Sequence, residues 1–185
     1  MNLLSRFQQY IQQQHLFQPK DQLLLAVSGG VDSVVLTDLC HKAGYQFSIA
    51  HCNFQLRGEE SDADETFVRS LGEKYNVEVL VEKFDTEEYA AANKLSIQEA
   101  ARVLRYEWFE EIRYQNNYQY ILTAHHAADS VETILLHLSR GTGLAGLQGI
   151  LPIQGLIRRP LLFASKEEMQ RYVLDRKVVW RDDLS

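Results

Sequence analysis

Apolar and polar positions follow two different periods along the chain, and the changes of period mark its elements. Leu23-Leu24-Leu25-Ala26-Val27 is an unbroken apolar run of strand length, as expected of a strand covered on both faces. A helical period follows over about 32–43, with Val34, Val35, Leu36 and Leu39 facing inward and Gly44 as its stop. Phe47-Ser48-Ile49-Ala50 predicts a second strand, and 59–75 a helix with an acidic first turn that suits the helix dipole. Val77-Glu78-Val79-Leu80-Val81 predicts a third strand. Ser96-x-x-Glu99 is a capping box opening a long helix, with an inward stripe of Ile97, Ala101, Leu104, Trp108 and Ile112. Tyr120-Ile121-Leu122-Thr123 predicts a fourth strand, and about 128–138 another helix.

Strands alternating with helices of this length argue for the α/β class, a parallel twisted sheet with helices on both faces. Ligands of such sheets bind beyond the carboxyl ends of the strands. That rule selects three segments: Ser28–Ser33, His51–Arg57 and Ala124–Glu132. The tail reads differently. Residues 141–155 are glycine-rich and predict loop, 157–162 the end of one more strand, Ser165-x-x-Glu168 a second capping box starting a helix to about Arg176, and 178–180 an extended piece. The last residues carry no terminating signal, as expected of a piece of a longer protein.

Composition narrows the class. The chain has 185 residues, 45% of them hydrophobic, enough for one domain with a packed core. No apolar run approaches a membrane span, and the glutamine-rich start lacks the apolar stretch of a signal peptide. Cys40 and Cys52 form no CxxC pair and read as reduced, cytosolic thiols. The net charge of −6 is uneven: residues 1–139 carry 11 Lys+Arg against 20 Asp+Glu, and residues 140–185 carry 8 against 5. A basic tail on an acidic body permits a polyanionic partner at one end and is equally consistent with ordinary surface variation.

The chemistry concentrates in the three strand-end segments. Ser28-Gly29-Gly30-Val31-Asp32-Ser33 follows a strand and opens a helix. Its glycines allow a tight turn, and the free amides and dipole of the helix start favour an anion, with Ser28 and Ser33 as added hydroxyl donors. The loop lacks the lysine and spacing of a Walker A motif. Asp32 beside phosphates makes sense through Mg²⁺, or as a plain helix-start carboxylate. Asp129 and Glu132, three apart, share a helix face and can bind a cation or accept a proton. Arg105 can reach a phosphate or carboxylate, or pair between helices. His51, His125 and His126 lack the further ligands of a zinc site and read as walls of a cleft. Gly141-x-Gly143-x-x-Gly146 matches a dinucleotide fingerprint in letters only, since no strand precedes it. The acidic run 59–65 reads mainly as a solvated helix face.

The hexapeptide resembles the SGGxDS loop of the PP-loop ATP pyrophosphatases. Further segments are similar to the tRNA(Ile)-lysidine synthase family: 51–61 to HxNHxLRxxES, 100–106 to ARxxRY, 123–133 to TAHHxxDxxET, 140–147 to RGxGxxGL, and 159–162 to RPLL. The similarity runs in order through residues 23–185. Phe54 stands where that family usually has histidine, and Ala128 where many members have a second aspartate.

The resemblance implies an adenine nucleotide alpha hydrolase-like, Rossmann-like domain over 1–185, with a core of about 20–140, a basic extension over 141–185 and a further C-terminal region. It implies ATP with Mg²⁺, free L-lysine, and an isoleucine tRNA with a CAU anticodon, whose first-position cytidine becomes lysidine. Asp32, Arg105, Asp129 and Glu132 are then the expected catalytic residues, and Asp32 the expected Mg²⁺ ligand. Residues 28–33 hold ATP, and His51, Asn53, Arg57 and His125 line the substrate site. A sulfur-transferring PP-loop enzyme and a non-enzymatic ATP-binding domain are the alternatives. The expected location is cytoplasmic, with no membrane partner. The oligomeric state stays open, a dimer included.

Overall fold

Leu23, Leu24 and Leu25 are fully buried at the centre of a six-stranded sheet, because both of its faces are covered. The computed structural model describes residues 2–129 and 149–181. The strands are β1 (Gln22–Ala26), β2 (Gln46–Asn53), β3 (Val79–Lys83), β4 (Tyr120–Leu122), β5 (Ile153–Gln154) and β6 (Ile157–Arg158), in spatial order β3-β2-β1-β4-β6-β5. Every pairing is parallel except the β5–β6 hairpin at one edge. The described helices are α1 (Leu3–Gln13), α2 (Val31–Lys42), α3 (Glu59–Tyr75), α4 (Thr86–Asn93), α5 (Ile97–Gln115) and α6 (Lys166–Arg176).

Leu23, Leu25 and Val27 point into one core, with Val34, Val35 and Leu36 of α2, Val68 and Leu71 of α3, and Met169 and Val173 of α6. Leu24, Ala50 and Ile121 point into the other, against Trp108, Phe109 and Ile112 of α5. Burying each such side chain stabilises the fold by about 1.5–3 kcal/mol. The expected sheet with helices on both faces is therefore the observed one. β2 and β4 flank β1 on opposite sides, so the crevice between them opens where β1 delivers the glycine loop.

Both predicted capping boxes form, at Ser96/Glu99 and Ser165/Glu168. Three expectations shift. β3 starts two residues late, because Val77 donates its N–H to Gly72 to close α3 around the left-handed Asn76. Gly72 is required there, since a Cβ would lie 2.2 Å from Val79. The inward stripe of α5 is displaced: Ala100, Trp108, Phe109 and Ile112 are buried, whereas Ile97 is 39% exposed. Residues 178–180 form no strand. Two helices were not anticipated: α1, where Phe7 and Ile11 are buried within the glutamine run, and the short α4. Among the described residues, no helix is long and apolar enough to cross a membrane.

Candidate active site

A cavity of about 430 Å³ opens at the carboxyl ends of β1, β2 and β4, within the size range of small-ligand sites. The three segments selected from the sequence converge on it. It is lined by Ser28, Gly30, Asp32 and Ser33 from the first, His51, Asn53 and Arg57 from the second, and His125 and Asp129 from the third, with Arg105 and Tyr106 of α5 closing one side.

The glycine loop is shaped by its own hydroxyls. Ser33 Oγ accepts from Gly29 N–H at 3.1 Å and donates to the Gly30 carbonyl at 3.0 Å, while Ser28 Oγ accepts from Gly30 N–H at 3.3 Å. The two serines thus brace the turn, and both line the cavity. The first-turn amides of α2 start without a side-chain cap, so the helix dipole faces the cavity unopposed by a capping oxygen. Gly29 adopts φ +107°, and a Cβ on it would sit 3.3 Å from the Phe67 ring. Gly29 therefore serves the geometry of the turn. Neither it nor Val31 lines the cavity, and Val31 packs against the core.

Asp32 and Asp129 meet across one imidazole. His126 Nε2 lies 3.5 Å from Asp32 Oδ2 and 3.6 Å from Asp129 Oδ2. The Ala128 N–H donates to His126 Nδ1 at 3.2 Å, which places the ring proton on Nε2, between the two carboxylates. Asp129 also accepts the His126 N–H at 2.7 Å and sits where residues 127–129 begin a helix. The sequence places His126 only on the wall of a cleft. The His125-His126 pair offered no sign of which ring faces the carboxylates. Glu132 and the glycine loop 140–147 lie outside the described residues.

Two converging carboxylates form a hard-oxygen donor set of the kind Mg²⁺ shares with phosphate oxygens. Among the described residues no group of three or more ligating side chains could hold a metal by itself.

His51 donates its Nδ1–H to the Val27 carbonyl at 2.8 Å, and burial holds its pKa below the ordinary 6.5 against the opposing pull of that bond. His125 is lowered further, to about 4, by burial and then by the charges of Arg159, Arg102 and Arg105. Its Nδ1 lies 2.8 Å from Thr123 Oγ1. His125 is therefore neutral at pH 7. Because its folded pKa is depressed, the stability it contributes is fully present above pH 6.5 and is lost as pH falls towards 4. In an NMR titration the His125 ring is expected to stay neutral through pH 5.5; a midpoint near 6.5 would contradict the desolvation argument.

Asn53 and Arg57 line the cavity with their polar ends engaged. Asn53 Nδ2 donates to Asp62 at 3.1 Å and Glu65 at 3.0 Å, and Arg57 pairs with Asp64 at 2.7 Å. The acidic run that opens α3 is thus an anchoring network, with Asp64 buried, rather than only a solvated face. Arg105 forms no ion pair with a described carboxylate. Its guanidinium lies 5.2 Å from the centre of the Phe54 ring, which itself stacks on Phe84 at 5.6 Å. Cys52 is half-buried, and its thiol is pushed up to about 12, mainly by desolvation.

A glycine loop opening a helix at the switch point of a parallel sheet, beside paired carboxylates, defines an α/β nucleotide-binding domain. The PP-loop domain model matches residues 2–185, and the chain belongs to that ATP-binding family. Among curated proteins it is 52% identical over 169 residues to the tRNA(Ile)-lysidine synthase of Bacteroides thetaiotaomicron, covering 91% of this chain and 40% of that one. It is 43% identical over 183 residues to the tRNA(Ile)-lysidine synthase of Chlorobaculum tepidum, covering 97% and 55%. The chain thus spans roughly two fifths to just over half the length of these relatives. Among solved structures it resembles the U34-tRNA thiolase NcsA from Methanococcus maripaludis, with TM-score 0.78 at 14% identity, covering 98% of this chain and 66% of that one. That likeness speaks to the fold alone.

Proposed function

We propose that this chain is the catalytic part of an ATP-dependent ligase that joins free L-lysine to the first anticodon cytidine of an isoleucine tRNA with a CAU anticodon, forming lysidine. The observation that carries the reading is the meeting of the glycine loop in one cavity with Asp32 and Asp129, which share the buried His126 ring. The relatives' names supply the substrate class.

In this reading the uncapped amides at the start of α2, on the turn that Ser28 and Ser33 brace, receive the phosphates of ATP. The cytidine C2 oxygen attacks the α-phosphorus, the bond to the β-phosphate oxygen breaks, and pyrophosphate leaves. The lysine amine then attacks C2, AMP departs, and the amine loses a proton to Asp129 or to Glu132. Arg105, unpaired with any described carboxylate and held on Phe54, supplies a guanidinium to a phosphate or to the lysine carboxylate. Asp32, with Asp129 beside it, would hold Mg²⁺, which when bound neutralises charge on the phosphates. The work of the protein is positioning and charge neutralisation. His51 and His125, neutral by burial, wall the site without adding charge.

The sulfur-transfer alternative needs a reactive thiolate. Cys52, the cysteine at the cavity, is displaced the opposite way. We further propose that residues 1–185 form one catalytic unit in a cytoplasmic protein, with RNA contacts made to phosphates by α6 and by further chain. Arg158 and Arg159 of the basic tail are buried and bonded internally; among the described residues, Lys166, Arg171, Arg176 and Lys177 are exposed cations on and beside α6.

The deciding experiment follows labelled lysine into transcripts that differ only at the first anticodon base. Label and pyrophosphate are expected only with cytidine there. Equal labelling of both transcripts would remove the specificity, and ATP binding without pyrophosphate release would favour a non-enzymatic domain.

A further inference from the structure

Arg181 lies far from the glycine loop in sequence and touches it in space. Its main-chain N–H donates to the Gly29 carbonyl at 3.1 Å. Its guanidinium donates through Nε to Asp64 Oδ1 and through Nη2 to Glu60 Oε2 at 2.6 Å. The second oxygen of Asp64 accepts from Arg57, a residue of the cavity wall, at 2.7 Å. Asp64 is only 8% exposed, so the Asp64 arm is the persistent one and the exposed Glu60 arm is secondary.

We propose that Arg181 is a positioning residue for the glycine loop: a strap whose backbone holds the Gly29–Gly30 peptide and whose side chain locks the strap to α3. A trans peptide is planar, so its carbonyl and its N–H point in opposite directions. Pinning the Gly29 carbonyl to Arg181 therefore aims the Gly30 N–H the other way. That side is the cavity side, where the Gly30 N–H meets Ser28 Oγ at 3.3 Å. The peptide needs such a hold because two consecutive glycines lose more conformational freedom on ordering than any other pair. A loop ordered before its ligand arrives binds more tightly, since less entropy is lost on binding. The same helix serves both ends of the device. Phe67 of α3 packs beneath Gly29, while Glu60 and Asp64 of α3 hold the Arg181 side chain.

The inference rests on the reading that this loop receives the phosphates of ATP. It is tested in the full-length protein by calorimetric ATP affinity and by steady-state KM for ATP and for lysine. Arg181→Ala is expected to raise the ATP dissociation constant and KM about 10-fold, with lysine KM and kcat at saturating ATP changed less than about 2-fold. Arg181→Lys should recover part of the loss, and Glu60→Gln should add little on top of Arg181→Ala, because the Glu60 carboxylate meets Arg181 and both changes cut that contact. Arg181→Pro, which also deletes the N–H, should weaken ATP further. Where that variant does not fold, the alanine and lysine variants decide. Unchanged ATP affinity in the Ala variant of a protein that does bind ATP overturns the strap, as does an equal fall in kcat/KM for ATP and for lysine. A wild-type protein that binds no ATP overturns the reading of the loop, and the strap with it.

Discussion

Asp32→Ala is expected to slow tRNA- and lysine-dependent pyrophosphate release by about 10²–10³-fold while leaving the chain folded. Asp32 sits in the first turn of α2, lines the cavity, and shares the His126 ring with Asp129. In the proposed reaction the pyrophosphate takes up negative charge as it leaves, and these carboxylates would hold a divalent cation that offsets it. Removing one of them loses stabilisation that matters most in the transition state, so kcat should fall with kcat/KM. Asp32→Asn separates this role from a purely local one. If the residue served only the helix dipole, the amide would lose about 0.3–1 kcal/mol of stability and keep turnover. If it holds a divalent cation, the amide should be nearly as slow as alanine, and the residual rate should demand a higher Mg²⁺ concentration. Full activity in Asp32→Asn at ordinary Mg²⁺ would sink the metal role.

The fold was legible because its signals are local. The apolar run at 23–27 has the length of a covered strand and ends at a glycine turn, and the two capping boxes set helix starts to the residue. The departures also have local causes, but ones written in side-chain size rather than in polarity. β3 starts late because the Val77 N–H closes α3 onto the Gly72 carbonyl, and Gly72 lets Val79 approach there, a contact no hydropathy pattern encodes. The displaced stripe of α5 arises because only its later turns, at Trp108, Phe109 and Ile112, reach the sheet. At the site, the segments were found and the partners within them were not. The pattern at residues 123–133 places Asp129 near the loop. It does not say that His126 stands between Asp129 and Asp32, because that depends on the Ala128 amide fixing the ring. Likewise, Arg181 and Asp64 are distant in sequence and individually unremarkable charges. Their pairing exists only once the chain returns to the glycine loop.

Asp38→Ala is expected to be the most damaging single change to stability, at about 3 kcal/mol, within the range for removing one partner of a buried charge pair. Asp38 lies on α2 at 4% exposure. Its carboxylate accepts from Tyr75 of α3 at 3.0 Å, from Tyr172 of α6 at 2.6 Å and from Lys42 at 2.5 Å, so one side chain joins three helices. Alanine leaves both phenols without their acceptor in a packed core. Lys42, at 31% side-chain exposure, can turn to water, and removing it alone should be much milder. For a chain of this length, 3 kcal/mol corresponds to a fall in Tm of about 6–12 °C. The pH dependence has a definite sign. Burial would raise the Asp38 pKa, but the bonds from Lys42, Tyr172 and Tyr75 and the Lys42 charge outweigh it and hold the carboxyl below its ordinary 3.8. A depressed folded pKa means that the contribution is fully present above 3.8 and disappears as pH falls through the lower folded value. Urea unfolding of the wild type and of Asp38→Asn should therefore differ most near neutral pH and converge in strong acid. A difference that stays constant down to pH 2, or a loss below about 1 kcal/mol for Asp38→Ala at pH 7, would show that the carboxylate does not bind the three helices together.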